Sequence, residues 1–197
     1  MIFAKAPTPG RVKTRLIPAL GADGAAQLQR QLIERTLQTA AAARLGPLEL
    51  YCAPDAADPF FVACAARHGL ILRVQGAGDL GARMARAFEH ALALGSPALL
   101  IGCDCPALTP AYLREAAAAL AADNDAVLGP AEDGGYVLIG LRRGPPTQLF
   151  DGVAWGTQYV LDQTRARLAR DQWRWREAAP LWDLDRPEDL QRLGRMQ

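Results

Sequence analysis

Short apolar runs recur along the chain, and the stretches between them carry helical periodicity. Ile2-Phe3-Ala4, Leu48–Cys52, Leu70–Val74, Ala98–Gly102, Asp125–Gly129 and Tyr136–Gly140 read as strands. Residues 24–44 place Leu28, Leu32, Ile33, Leu37 and Ala40 on one side of a helix. Ala56–His68 and Leu80–Leu94 read as helices closed by Gly69 and Gly95. Thr109-Pro110 opens another, because the hydroxyl caps free N–H groups and proline suits the first helical position. Residues 157–168 and 187–193 complete the helical set. This alternation predicts an α/β fold: a doubly wound, mostly parallel mixed sheet with helices on both faces and right-handed crossovers. Ala98–Gly102 is the most apolar strand and is expected at the centre. The strands at 125–129 and 136–140 are too close for a crossover helix, which makes the sheet mixed. Trp173–Glu177 alternates aromatic and charged residues and is expected at an edge, a candidate surface for a homodimer. Leu181–Leu184 reads as a last short strand, and residues 1–197 as one domain.

Composition excludes several classes. Half the residues are hydrophobic, and 22 Lys plus Arg nearly balance 21 Asp plus Glu. That balance argues against a nucleic-acid partner or a polybasic membrane surface. No apolar run approaches the roughly 18 residues that span a bilayer. The first residues lack the apolar core of a secretory signal, so a cytoplasmic location is expected. Four Cys and two His do not suggest a disulfide scaffold or a zinc site. The single serine, Ser96, precedes a strand rather than following one, which disfavours a Ser/His/Asp hydrolase.

In open α/β sheets ligands bind beyond the carboxyl ends of the strands. Polar residues that follow strands directly are therefore the candidates. The first cluster runs from Lys5 to Arg15 and holds Lys5, Arg11, Lys13 and Arg15 with Thr8 and Thr14. It carries both lysines of the chain, and its cations and N–H groups suit a diphosphate. It matches neither a Walker loop nor a dinucleotide fingerprint. The second cluster is Gly102-Cys103-Asp104-Cys105-Pro106, where Asp104 is a hard-cation ligand at the end of a buried strand. The third is Gly129–Tyr136, with Glu132 and Asp133 beside Gly134 and Gly135. Asp-Gly is equally an ordinary hairpin turn, and the two roles are compatible. The fourth is Asp183–Leu190, in which Asp183 and Asp185 alternate along an extended segment and either could be a second metal ligand.

Taken together, these segments resemble the DUF2064 group of glycosyltransferase-A-like proteins, in the nucleotide-diphospho-sugar transferase superfamily. The resemblance rests on Lys5–Leu16, Gly78-Asp79-Leu80-Gly81-Ala82-Arg83-Met84, Gly102–Leu108, Gly129–Tyr136 and Asp183–Leu190. It implies a metal-dependent glycosyltransferase using a nucleotide-activated sugar and a small-molecule acceptor. The alternatives are a nucleotidylyltransferase that uses a nucleoside triphosphate, and a non-catalytic nucleotide-binding protein. It implies Mg²⁺ or Mn²⁺ on Asp104 and Asp185, with Asp183 in reserve, and Asp133 as the group that meets the acceptor. Lys5, Pro7, Gly10, Lys13, Thr14 and Arg15 would bind nucleotide phosphate. Gly78, Asp79, Gly81 and Arg83 would line the nucleotide or sugar site, with Glu132, Gly134 and Gly135 beside it. Asp104-Cys105-Pro106 carries one carboxylate where many sugar transferases carry two, a pattern closer to nucleotidylyltransferases.

Overall fold

β-Branched, aliphatic and aromatic residues alternate their side chains across each strand, and both faces of this sheet find apolar cover. The computed structural model describes residues 1–144 and 147–194. Strands β1 (Ile2–Lys5), β2 (Glu49–Ala53), β3 (Ile71–Val74), β4 (Ala98–Ile101), β5 (Ala126–Pro130), β6 (Tyr136–Leu141) and β7 (Trp175–Glu177) form one sheet in the order β3-β2-β1-β4-β6-β5-β7. β4 is central, as its apolar run predicts. β6 lies antiparallel between β4 and β5, so the sheet is mixed, and β7 pairs parallel with β5 at the edge.

Helix α1 (Ile17–Ala43), α2 (Pro59–His68) and α4 (Pro110–Ala121) cover one face. Ile33, Leu37, Phe61, Leu113 and Leu120 pack there on Ile2, Ala4, Leu50 and Leu138. Helix α3 (Leu80–Leu92), the short α5 (Thr147–Phe150) and α6 (Val160–Arg170) cover the other. Phe88 and Phe150 pack there on Phe3, Leu100 and Ile139. The periodicity of residues 24–44 starts late because α1 is broken at Gly21, whose φ of 71° and ψ of 168° are non-helical. α2 starts at Pro59, because Asp58 caps it by accepting from the Phe60 N–H at 2.9 Å. Thr109 accepts from the Tyr112 N–H and caps α4, as the sequence suggests.

Two features bring distant residues to one rim. β1 leads outward through β2 to β3, and the chain then returns on the other side of β1 as β4. The β1/β4 junction is thus the point where strand order reverses, and ligands bind there in this architecture. The expected strand at Leu181–Leu184 is instead an extended segment with one bridge, Leu181 to Ala131. The Leu184 N–H donates to the Asp104 carbonyl at 2.8 Å rather than to a ladder. Trp182 and Leu184 turn inward onto Leu16, Leu28 and Leu32. Period-two geometry then sends Asp183 and Asp185 the other way, toward the rim. Helix α7 (Pro187–Gly194) follows. Among the described residues, no helix is long and apolar enough to cross a membrane.

Candidate active site

Lys13 is the hub of the rim. It adopts a left-handed conformation, φ 46° and ψ 41°, just before the 3₁₀ turn Thr14–Leu16 that feeds α1. Such a backbone costs a non-glycine residue about 1 kcal/mol, so surrounding contacts must hold it. Those contacts are visible. The ammonium Nζ donates to the Leu184 carbonyl at 2.5 Å and to Asp185 Oδ1 at 3.1 Å. It also lies 2.6 Å from Asp104 Oδ1 in an ion pair. The Lys13 side chain is only 4% exposed. Burial opposes its charge, but Asp104 and Asp185 outweigh that and hold its pKa above the ordinary lysine value. Arg15 approaches the far oxygen of Asp185 at 3.7 Å.

The carboxylates outnumber these cations. Asp104 and Asp185 are nearly half exposed, each with one oxygen turned to Lys13. Asp183 makes no hydrogen bond or ion pair among the described residues. Its carboxyl is pushed up to about 7, first by burial and then by the charges of Asp104, Asp133 and Asp185, with Lys13 pulling the other way. The neighbouring thiols are inert by the same physics. Burial raises Cys103, and burial with the Asp183 charge pushes Cys105 up to about 12. All four cysteines are free and buried.

Two cavities meet at this cluster. The first, about 560 Å³, lies over the ends of β1 and β4 and is lined by Lys5, Arg11, Lys13, Thr14, Arg15 and Asp104. The second, about 690 Å³, is lined by Glu132, Asp133, Gln158, Tyr159 and Asp189. Arg15, Asp183 and Asp185 border both. Asp133 accepts from the Gly135 N–H at 2.9 Å, which shapes the turn between β5 and β6. Arg192 grips Glu132 through two bonds of 2.7 and 2.9 Å.

Other residues singled out from the sequence do not line these two cavities. Pro7 is buried, and Gly10 is an exposed turn residue with φ 75°. Asp79 caps α3 by accepting from the Ala82 N–H, and Arg83 donates to the Gly78 carbonyl. Gly81 lies where a Cβ would come within 2.7 Å of the Phe150 carbonyl oxygen and Trp155. Of that segment only Leu80 lines the first cavity. Gly134 has φ 89°, and a Cβ there would stand 2.2 Å from the Gln158 carbonyl oxygen. It admits the 156–159 turn that walls the second cavity, and Gly135 supplies the N–H for Asp133.

Sequence reasoning missed Gln75 and Gln29, both buried and both lining the first cavity. Gln75 Nε2 donates to the Ala4 and Tyr51 carbonyls at 3.1 and 2.9 Å. Two acceptors around one terminal atom fix that atom as the amide nitrogen, which leaves Oε1 without a partner among the described residues. Gln75 follows β3 directly, so the rule that selected Lys5 and Asp104 also selects it.

The donor set fits a hard divalent cation. Asp104, Asp183 and Asp185 are oxygen ligands, and the unpartnered Asp183 carboxyl is crowded by negative charge that a cation would relieve. Among the described residues no group of three His, Cys, Asp or Glu stands in ready metal-binding geometry. That is compatible with Mg²⁺ or Mn²⁺, which take one or two carboxylates and complete their shell with phosphate and water.

A mixed sheet reversing at β1/β4, with a cation-lined cavity over that junction, defines a protein of the nucleotide-diphospho-sugar transferase fold. Residues 36–157 match the family described as uncharacterized protein conserved in bacteria, DUF2064, and the chain belongs to it. A candidate nucleotide-diphospho-sugar transferase from Desulfovibrio desulfuricans is 34% identical, with a TM-score of 0.88 over 99% of this chain and 85% of that one. A nucleotidyl transferase from Methanothermobacter shares the fold at 17% identity and a TM-score of 0.64, over 99% of this chain and 95% of that one. A Mycobacterium tuberculosis protein solved in complex with manganese shares it at 20% identity and a TM-score of 0.56, over 98% and 97% of the two chains. No curated protein matches the chain.

Proposed function

We propose that this protein is a metal-assisted transferase that takes a nucleotide-activated sugar in the first cavity and passes the glycosyl group to a hydroxyl in the second. The observation that carries this reading is the meeting of the two cavities at Asp183, Asp185 and Arg15. A donor whose phosphates lie by Lys5, Arg11, Thr14 and Arg15 directs its labile bond toward that junction. Asp104 and Asp185 would hold Mg²⁺ or Mn²⁺, with Asp183 beside them. When bound, the ion supplies Lewis-acid stabilisation of charge on the departing phosphate oxygen. Gln75, across β1 from Asp104, offers its Oε1 to an N–H of the base. Asp133, exposed on the wall of the second cavity, accepts the proton of the acceptor hydroxyl. The carboxylates facing that cavity favour a neutral, hydroxyl-rich acceptor over a phosphorylated one.

Nucleotidyl transfer is the second reading. It is favoured by the lone carboxylate of Asp104-Cys105-Pro106 and by the fold shared with nucleotidyl transferases. A panel of nucleotide sugars and nucleoside triphosphates, incubated with Mn²⁺ and candidate acceptors, separates the two. Release of nucleoside diphosphate supports the first and release of pyrophosphate the second. If no nucleotide raises the melting temperature in the presence of Mn²⁺, both are wrong.

A further inference from the structure

A lysine occupies the position where this rim has most need of positive charge. Lys13 Nζ lies within 3.1 Å of both Asp104 Oδ1 and Asp185 Oδ1, and within 2.5 Å of the Leu184 carbonyl. Asp104 Oδ1 is fully enclosed beside that ammonium. We infer that Lys13 is a built-in counter-ion: in the nucleotide-free protein it takes the role of a divalent cation, so metal alone binds weakly and metal and nucleotide bind with positive coupling. This inference rests on the first cavity being the nucleotide site.

The argument is one of charge and reach. Lys13 and Arg15 balance Asp104 and Asp185 charge for charge. A divalent ion entering alone meets an ammonium already seated on the same oxygens, and like charges at that range repel strongly. A nucleoside diphosphate changes the balance. Its phosphate oxygens are acceptors for the flexible four-carbon stem of Lys13, and they complete the coordination shell of the ion. Lys13 exchanges carboxylate for phosphate, and Asp104 and Asp185 are released toward the cation. Both ligands gain by the same factor, because coupling between binding sites is reciprocal. An arginine would serve less well, since its rigid fork holds a carboxylate through two bonds. The sole other lysine, Lys5, lines the same cavity, while all remaining basic side chains except the two histidines are arginines.

Electron paramagnetic resonance of free aqueous Mn²⁺ reads the affinity without turnover. In the wild type, saturating uridine or guanosine diphosphate is expected to tighten Mn²⁺ binding about tenfold. Lys13→Gln is expected to tighten Mn²⁺ binding about tenfold with no nucleotide present, and to shrink the coupling. Lys13→Arg, which keeps the charge, is expected to leave Mn²⁺ alone as weakly bound as in the wild type. Equal Mn²⁺ affinity in wild type and Lys13→Gln overturns the inference. If Lys13→Gln does not fold, wild-type Mn²⁺ binding that nucleotide leaves unchanged overturns it equally. Failure of every nucleotide to bind with Mn²⁺ would instead remove the proposed function, and the Mn²⁺-only comparison would still decide the role of Lys13.

Discussion

The two ends of the sheet treat buried charge in opposite ways. At the amino ends of the strands, Glu49 accepts from Arg73 at 2.9 and 3.2 Å and from the Tyr51 hydroxyl at 3.0 Å. Burial raises its pKa, but Arg73 and Tyr51 outweigh that and hold it below the ordinary range. Asp125, before β5, takes the Arg174 N–H at 2.9 Å and pairs with Arg143 at 3.0 Å. At the carboxyl ends, Asp183 has no such partner and moves upward to about 7. The amino end also holds an apolar cavity of about 440 Å³, lined by Leu99, Leu113 and Leu120. Fully partnered carboxylates stabilise a fold, whereas unpartnered ones are tolerated where a ligand completes them.

The strongest way to break that comparison is Asp104→Ala. Metal-dependent nucleotide binding should fall at least about a hundredfold by thermal shift, because a ligand to the ion is lost. Stability in urea should fall by only about 1–3 kcal/mol, because the buried Lys13 ammonium loses one of its two carboxylate partners but keeps Asp185 and the Leu184 carbonyl. Gly134→Ala places a methyl 2.2 Å from the Gln158 carbonyl oxygen at a φ of 89°. A loss of about 2–4 kcal/mol is expected in urea denaturation, with acceptor binding harmed more than nucleotide binding. Glu49→Ala, at the other end, should lose about 1–2 kcal/mol, because Arg73 is partly exposed and water offsets its lost partner. Its Mn²⁺ and nucleotide affinities should match the wild type. A drop in either would mean that the two ends are coupled.

Asp183→Asn sharpens the contrast through pH. The folded carboxyl titrates near 7 against an ordinary 3.8. Its contribution to stability is therefore fully present below 3.8 and is lost as pH rises through 7. The asparagine variant escapes that loss. Melting temperatures of the two proteins should converge in acid, separate as pH rises from about 4 to 7 with the variant higher, and keep that gap above neutrality. Curves that stay parallel would show that Asp183 titrates normally.

Much of this was legible in the residues. Strand and helix periodicity located the sheet, its central strand and its antiparallel pair, because each depends on local apolar patterning. The break at Gly21 and the short helix Thr147–Phe150 were not, since neither leaves a periodic trace. Leu181–Leu184 reads as a strand but is held by Trp182 and Leu184 docking on α1, a contact between segments far apart in sequence. For the site, the rule of polar residues following strands found Lys13, Asp104 and Asp133. The segment near Gly78 came from the family resemblance instead, and there Asp79 caps α3 and Gly81 lies tight against Phe150 and Trp155. That Lys13 faces carboxylates is a tertiary fact, invisible to a rule that reads one segment at a time.

The second cavity takes Glu132 and Asp133 from the turn between β5 and β6, and most of the rest of its wall from the 156–159 turn and the segment from Trp182 to Asp189. The first cavity is assembled from segments far apart in sequence, Lys13 and Asp185 being 172 residues apart. On the proposed function, exchange of residues 131–135 for another turn of equal length is expected to alter acceptor binding through Glu132 and Asp133 while the first cavity is kept. A library confined to that turn, screened against candidate acceptors, tests that expectation with a handful of positions.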